Sequence, residues 1–117
     1  MASAGLATFA IKALVNRSRP DLWGSLSYSS SSFPSEHTLC TTALATALVL
    51  CMSRVAPSSR YAALGAAALW VALVALSRMA LGAHWPTDVL AAPILGVFIP
   101  VAISTLLDLH PPRWLTR

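Results

Sequence analysis

The stretch Val89–Leu107, VLAAPILGVFIPVAISTLL, decides the fold, because it runs for 19 residues without a charged side chain. A helix of about 20 mostly apolar residues crosses the hydrocarbon core of a bilayer. The upstream stretches Thr38–Ser53 and Tyr61–Ser77 are charge-free for 16 and 17 residues, and they reach that length with their polar boundary residues. Neighbouring helices in a membrane can satisfy the carbonyls that Pro93 and Pro100 leave unpaired. The pattern therefore predicts three membrane-spanning helices.

The composition of the whole chain is typical of a membrane protein. Of its 117 residues, 56% are hydrophobic and 10% are charged, and the mean hydropathy is +0.69. The net charge of +4 comes from single cations scattered among apolar runs, whereas nucleic-acid binding needs a contiguous basic face. Cys40 and Cys51 lie in one apolar run, about 16 Å apart along a helix, which is too far for a disulfide. We therefore exclude a soluble globule, a nucleic-acid binder and a disulfide scaffold.

The first apolar stretch, Met1–Ile11, is too short to span a membrane. Eleven residues cover about 16 Å of helix, against a hydrocarbon core of about 30 Å. The stretch also lacks the basic start of a signal peptide. We expect the chain to be a piece of a larger protein, or to start inside one; the alternative is a short helix lying in the interface. We predict one domain over residues 1–117, with helices near residues 1–18, 36–54, 60–79 and 86–107.

The connections between these helices indicate an orientation. Alternation of the spans places the two longer connections, Asn16–Glu36 and Arg78–Asp88, at the same side of the membrane. The short connection Arg54–Arg60 lies at the opposite side, together with Arg113 and Arg117 of the tail, and cytoplasmic segments carry an excess of basic residues. We expect the longer connections to face outward from a bacterial-type plasma membrane.

Ionisable residues at membrane depth are costly and mark candidate functional sites, and here they form three clusters beside the longer connections. The first cluster is Lys12 with Arg19-Pro20. If the helix runs to Arg19, both cations lie on one face, about 10 Å apart along the axis, and their long side chains can clamp one anion. The alternative is that both cations reach toward lipid headgroups.

The second cluster, Phe33-Pro34-Ser35-Glu36-His37, directly precedes an apolar run. Ser35 is a favourable N-cap residue, and the free N–H groups and positive end of the helix attract an anion. His37 would stand at the edge of that anion. The alternative is a simple helix start with an interfacial histidine.

The third cluster is Ser77-Arg78 followed by His84-Trp85-Pro86-Thr87-Asp88. An aspartate four residues after a histidine can reach back to one ring nitrogen, which leaves the other nitrogen as a nucleophile or base. A purely structural hydrogen bond is the alternative. Trp85 fits the aromatic belt of a membrane protein and would only anchor the helix.

Together the clusters supply three cations, two histidines, one carboxylate and a helix N-terminus, which are the parts that phosphoryl transfer requires. A metal site competes for the histidines. The sequence contains no His-x-x-x-His pair or paired carboxylates beside them, and three cations would repel a metal ion. We therefore predict a site without metal or cofactor.

The clusters resemble the signature of the type 2 phosphatidic acid phosphatases, which share a helical core with bacterial acid phosphatases and vanadium haloperoxidases. That signature reads Lys, six residues, Arg-Pro; then Pro-Ser-Gly-His; then Ser-Arg, five residues, His, three residues, Asp. In the same order and with the same internal spacings, the chain contains Lys12 with Arg19-Pro20, Pro34-Ser35-Glu36-His37, and Ser77-Arg78 with His84 and Asp88. The resemblance covers residues 12–88.

This resemblance implies an all-α transmembrane bundle of six helices, of which the chain would hold the third to sixth and lack the first two. It implies that His84 is the nucleophile that forms a phosphohistidine, that Asp88 holds and polarises it, and that His37 is the general acid. No metal is required by that mechanism. The implied phosphate-binding residues are Lys12, Arg19, Ser35 and Arg78.

Glu36 departs from the signature, since the family usually has glycine there. Its backbone N–H can still donate to phosphate, so we include Glu36 in the phosphate-binding set. Its carboxylate adds negative charge beside an anionic site. Either the affinity for phosphate falls, or Glu36 turns outward to bind a cation or a substrate hydroxyl.

The resemblance therefore implies hydrolysis of a phosphate monoester or diphosphate carried by a lipid, either a polyprenyl lipid or one like phosphatidic acid. The lipid tail can stay among the apolar spans while the headgroup enters the site. We expect lipid phosphates and membrane lipids as partners, and we expect no binding of nucleic acid. We also expect the missing helices, or a second copy of the chain, to cover the polar faces of the helices. The alternatives are a non-catalytic or weakened membrane subunit and a vanadium-dependent haloperoxidase.

Overall fold

The structure is a computed structural model that describes residues 2–20 and 30–110, and this part of the chain contains helices and no strands. The predicted tail cations Arg113 and Arg117 lie outside the described residues. A single turn of 3-10 helix, Pro57–Ser59, precedes the third α-helix. The α-helices are α1 (Ala2–Val15), α2 (Glu36–Val55), α3 (Arg60–Ala80) and α4 (Pro86–Leu109).

Three helical segments are long and apolar enough to cross a membrane: α2, Pro57–Ala80 and α4. Their outer faces carry large apolar side chains. On α4, Leu90, Ile94 and Phe98 are 71%, 72% and 67% exposed. Such a surface is unfavourable in water and favourable against lipid tails, whose apolarity matches it. The fold is therefore all-helical, as the sequence predicts, with three helices suited to the bilayer.

The helix α2 lies at the centre and packs against both α3 and α4. The interior between α2 and α4 is built on the buried residues Leu39, Ala43 and Ala92. The two backbones approach closely at Gly96, where a Cβ atom would lie 2.6 Å from the Cβ of Thr42. Small residues at membrane helix interfaces permit this kind of contact. The closely packed pair of α2 and α4 therefore supports the site.

The helix α1 ends at Val15, earlier than the predicted end near residue 18. Asn16 has a φ of 43°, in the left-handed region that asparagine tolerates, and the chain leaves the helix there. The interpretation that Lys12 and Arg19 share one helix face is therefore wrong. The described bounds of α2, α3 and α4 fall within two residues of the predicted ones.

The two longer connections meet at one end of the bundle, as predicted from the alternation of the spans. The backbone N–H of Ser35 donates to the carbonyl of Asp88 at 3.2 Å, which joins the start of α2 to the start of α4. At the other end of these helices, Arg54 donates to Asp108 at 2.6 Å and to Ser104 at 2.9 Å. The bundle thus has two polar ends, and the three sequence clusters lie at one of them.

Candidate active site

Hydrogen bonds to backbone carbonyls bring the segments around residues 17, 32 and 84 together. The N–H of Ser32 donates to the carbonyl of Arg17 at 2.9 Å, and the hydroxyl of Ser32 donates to the carbonyl of Ser18 at 3.1 Å. The left-handed backbone of Gly82, with a φ of 63°, turns the chain back after α3 so that His84 faces these segments. Residues far apart in the sequence therefore form one compact polar centre.

His84 is buried at this centre, and its two ring nitrogens have different partners. Nδ1 lies 2.8 Å from the carbonyl of Ser32. Because a carbonyl only accepts, we assign the ring proton to Nδ1, which leaves a lone pair on Nε2. Nε2 lies 3.3 Å from Nη1 of Arg19. Burial, followed by the positive charge of Arg19, holds the pKa of His84 below its usual range, so the ring favours the neutral form.

Asp88 is fully buried in the first turn of α4, yet it does not make the predicted hydrogen bond to His84. Its Oδ2 accepts from the backbone N–H of Trp85 at 2.9 Å and lies 3.8 Å from Nδ1 of His84, beyond hydrogen-bond range. The carbonyl of Ser32 occupies Nδ1 instead. Asp88 thus reaches the imidazole through its charge, while Ser32 supplies the hydrogen bond that orients the ring.

Arg17, which the sequence analysis did not assign to the site, is the ionic partner of Asp88. Its Nη1 donates to Oδ1 of Asp88 at 2.9 Å and to the hydroxyl of Thr87 at 2.7 Å. Its guanidinium also lies 5.6 Å from the centre of the Trp85 ring, and Trp85 Nε1 donates to the carbonyl of Ser18 at 3.0 Å. Trp85 is therefore part of the site's support. The one clue in the sequence is that a buried aspartate needs a cation, but 71 residues separate this pair.

Arg19 connects the serine-rich segment to the chain around His84. Its guanidinium donates to the carbonyl of Ala83 at 3.0 Å, to the hydroxyl of Ser30 at 3.1 Å and to the carbonyl of Ser31 at 3.4 Å. Several donors in a fixed planar arrangement suit arginine to such bridging. The predicted phosphate-binding residue Arg19 therefore lies against the histidine, and it also fixes two loops.

Lys12 and Glu36, both predicted to bind phosphate, bind each other. Nζ of Lys12 lies 3.0 Å from Oε2 of Glu36. The side chain of Lys12 is 14% exposed and that of Glu36 is 54% exposed. This ion pair joins the last turn of α1 to the first turn of α2.

Ser35 and His37 flank this ion pair at the start of α2. Ser35 is the N-cap residue and is buried, as its position predicts, but its hydroxyl lies 3.0 Å from that of Thr38 and does not bond a backbone N–H. His37 is exposed in the first turn. Among the residues the structure describes, no hydrogen bond joins the His37 ring to another group, so its ring stands open to a ligand.

Arg78 lies half-buried in the last turn of α3. Its Nε donates to the hydroxyl of Ser77 at 3.4 Å, and its carbonyl accepts from the N–H of Ala83 at 3.2 Å. Within residues 2–20 and 30–110, no hydrogen bond or ion pair connects its guanidinium to His84 or Glu36. The turn between α3 and α4 carries His84, and Arg78 lies directly before this turn, so both residues lie at the same end of the bundle.

No group of three or more histidine, cysteine, aspartate or glutamate side chains that could hold a metal ion occurs in the described part of the chain. Basic side chains surround His84 instead. A buried neutral imidazole whose unprotonated Nε2 faces the donor Arg19 is suited to attack on an electrophilic anion that the same arginine binds.

An apolar groove of about 790 Å³ begins beside this centre and runs between α2, α3 and α4. Pro86 and Val89, which flank Asp88, line its near end, and Val97 lines its far end. Alanines of α3, among them Ala68 and Ala72, leave the space open. The groove thus extends from the polar centre along the membrane-spanning helices.

Comparison with known proteins shows the family and a similar fold. The family model of the PAP2 superfamily matches residues 1–110. No curated protein matches the sequence significantly. The crystal structure of the first transmembrane PAP2 type phosphatidylglycerolphosphate phosphatase, from Bacillus subtilis, is similar with a TM-score of 0.82 and 26% sequence identity. The match covers 96% of this chain and 57% of that one, so this chain spans a little over half the length of the solved structure.

Proposed function

Because the chain belongs to the PAP2 superfamily, we propose that it is a membrane lipid phosphatase that forms a phosphohistidine on His84. The observation that carries this proposal is the environment of that residue. Its Nδ1 donates to the carbonyl of Ser32, and its unprotonated Nε2 accepts from Nη1 of Arg19. A nucleophile needs a fixed orientation and an electron pair, and Nε2 gains the use of that pair when the Arg19 guanidinium turns its donor to a phosphoryl oxygen.

In the first step, Nε2 of His84 attacks the terminal phosphorus atom, and the bond from that phosphorus to the leaving oxygen breaks; the leaving oxygen is the lipid oxygen of a monophosphate or the bridging oxygen of a diphosphate. His37 gives a proton to the leaving oxygen, so the lipid departs as an alcohol or, from a diphosphate, as a monophosphate. The imidazole gains positive charge in this step. The carbonyl of Ser32 at 2.8 Å and the carboxylate of Asp88 at 3.8 Å stabilise that charge.

In the second step, water attacks the phosphohistidine and the P–N bond breaks. His37, now neutral, accepts a proton from the water, and inorganic phosphate leaves. Arg19 and Arg78 stabilise the phosphoryl oxygens in both steps, as do Lys12 and the backbone N–H group of Glu36 in the first turn of α2. The chain's own side chains and backbone supply every protein group in this scheme, and we propose that it proceeds without a metal ion.

The groove between α2, α3 and α4 supports a lipid as the carrier of the phosphate. It is lined almost entirely by apolar side chains and begins at Pro86, two residues from His84. A lipid chain can lie in it while the headgroup reaches Nε2. We further propose that residues 1–117 act as one domain and that the polar end bearing the site faces outward from a bacterial-type plasma membrane.

The test is release of phosphate from lipid monophosphates and diphosphates by the detergent-solubilised protein in the presence of EDTA. His84→Ala is expected to lower the rate by about 1,000-fold or more, since it removes the nucleophile. His110→Ala is the matched control, because His110 is exposed at the other end of α4. Turnover that survives in His84→Ala, or that disappears with EDTA, contradicts the proposal.

One observation favours a second candidate, a membrane subunit that binds lipid phosphates without hydrolysing them. The Lys12 ammonium is already occupied by Glu36 at 3.0 Å, which weakens the cation set around a phosphate. A folded protein that binds a lipid phosphate and releases no phosphate would support this alternative. Release by the wild-type protein excludes it.

A further inference from the structure

Among the residues that the structure describes, Glu36 is the exposed carboxylate beside the polar centre. The structure describes three carboxylate side chains: Asp88, Asp108 and Glu36. Asp88 is buried and bonded to Arg17. Asp108 pairs with Arg54 at the other end of the bundle. Glu36 is 54% exposed, lies between Ser35 and His37, and binds the one lysine of the site.

The Lys12–Glu36 pair affects how an anion binds. To reach the Lys12 ammonium, a phosphate group must displace the Glu36 carboxylate or share the cation with it. Because the Glu36 side chain is 54% exposed, it is the partner that can turn aside, while the largely buried Lys12 side chain stays in place. In both arrangements the Glu36 carboxylate stays in the first turn of α2, within a few ångströms of the phosphate. That distance is shorter than the screening length of about 8 Å at physiological salt, so the repulsion persists.

The repulsion grows with the charge of the headgroup. A phosphate monoester carries about −1.5 to −2 at neutral pH. A diphosphate bears a further ionised oxygen, and Coulomb's law makes its repulsion by a fixed carboxylate correspondingly larger. The carboxylate therefore penalises a diphosphate more than a monophosphate on the same lipid chain.

We infer that Glu36, through its ion pair with Lys12, disfavours diphosphate headgroups and makes this protein selective for lipid phosphate monoesters. The inference rests on the proposed function and narrows its substrate class. Glu36 acts as a specificity-determining residue: it takes no part in bond breaking, and its effect lies in substrate binding.

The test compares Glu36→Gln with Asp108→Asn on farnesyl phosphate and farnesyl diphosphate, which share one chain and differ in the headgroup. Both substitutions remove an exposed carboxylate from an ion pair, at 3.0 Å and 2.6 Å, but only one of the two pairs lies at the site. In Glu36→Gln, the ratio of kcat/KM for diphosphate over monophosphate is expected to rise roughly 5-fold, mainly through KM. Asp108→Asn is expected to leave the ratio unchanged, and added salt shrinks the difference.

An unchanged ratio in Glu36→Gln, or a gain for the monophosphate as large as that for the diphosphate, overturns the inference. Loss of both activities in folded Glu36→Gln protein overturns it as well, since Glu36 would then be needed for the chemistry.

Calorimetric titration with inorganic phosphate and with pyrophosphate separates this inference from the proposed function, because it needs no turnover. If the wild-type protein releases no phosphate from either substrate, the proposed function fails and the titration still tests Glu36. Binding of pyrophosphate is expected to tighten more than binding of phosphate in Glu36→Gln. Equal changes for the two anions contradict the role of Glu36.

Discussion

The position of Asp88 in the site depends on Arg17, a residue that the spacing of the motifs does not reveal. Its carboxylate is fully buried, and Arg17 donates to it at 2.9 Å. A buried carboxylate without a partner is strongly unfavourable, so the ion pair with Arg17 stabilises Asp88 in its buried position. Through Asp88, Arg17 also sustains the negative charge 3.8 Å from the ring of His84. Arg17 is therefore a positioning residue.

Replacing Arg17 by methionine is expected to lower both stability and turnover, because Asp88 loses its ionic partner. We expect a loss of about 2 kcal/mol in the free energy of unfolding, less than for a wholly buried pair since Arg17 is 38% exposed. Thermal unfolding in detergent and phosphate release measure the two effects. Arg60→Met is the control, since Arg60 stacks on Tyr61 and has no role at the site. Equal effects of the two substitutions would refute the role of Arg17.

The pH dependence of turnover is set at His84. Attack requires neutral Nε2, so activity falls as His84 becomes protonated. Burial and the charge of Arg19 lower the pKa of His84, so the acid limb of the kcat/KM profile is expected below the usual histidine range. Arg19→Gln removes a positive charge, raises this pKa and moves the acid limb to higher pH. An acid limb that stays in place in a folded Arg19→Gln variant would contradict this account.

At the scale of the helices, the contact between α2 and α4 is the element on which the site depends. A Cβ at Gly96 would lie 2.8 Å from the carbonyl oxygen of Leu39, a backbone atom that cannot move aside cheaply. Ser35 and Asp88 lie at the starts of these two helices, and the backbone N–H of Ser35 donates to the carbonyl of Asp88 at 3.2 Å. A change in the spacing of α2 and α4 is therefore expected to displace Ser35 and Asp88 at the polar centre.

Gly96→Ala is expected to destabilise the protein by about 1–2 kcal/mol, since the strain of overpacking exceeds the gain in helix propensity. Gly65→Ala in α3 is the matched control, because nothing lies within 4 Å of a Cβ there. The control is expected to be neutral or slightly stabilising. Thermal unfolding of both variants in the same detergent measures the difference, and a Gly96→Ala variant as stable as Gly65→Ala would exclude close packing at this contact.

The sequence predicts the three long helices closely because each depends on a local property, an apolar run with polar ends. The end of α1 at Val15 depends on one left-handed residue, Asn16, which the periodicity does not reveal. The partners at the site are also hard to predict. The bond from His84 to the Ser32 carbonyl spans 52 residues and involves a backbone atom. The Lys12–Glu36 pair forms because the last turn of α1 meets the first turn of α2. The spacing within a motif does not show which helix ends meet.

At the scale of the whole molecule, the near end of the groove lies beside the polar centre in the chain. The groove is lined by α2, α3 and α4, and its near end reaches Pro86 and Val89 beside the centre. A lipid chain of sufficient length fills this space and gains free energy with each buried CH₂ group. The length of the chain is therefore expected to influence turnover even though the chemistry occurs at the headgroup.

Ala72→Phe places a ring in the groove and is expected to lower kcat/KM for a long-chain lipid phosphate by about 10-fold, the equivalent of about two CH₂ contacts. For a short-chain, water-soluble lipid phosphate, we expect little change. Ala62→Phe adds the same ring on the same helix outside the groove and serves as control. Parallel losses for long and short chains in Ala72→Phe would show that the groove does not hold the lipid.

The most direct measurement of the central claim is a search for the phosphorylated protein itself. Wild-type protein is mixed with a lipid phosphate that carries oxygen-18 on its phosphoryl group, quenched under alkaline denaturing conditions and analysed by mass spectrometry. We expect a label that is stable in base and labile in acid, attached to His84, present in His110→Ala and absent in His84→Ala. Steady release of phosphate with no label on His84, or a label that persists in His84→Ala, would exclude a phosphohistidine on this residue.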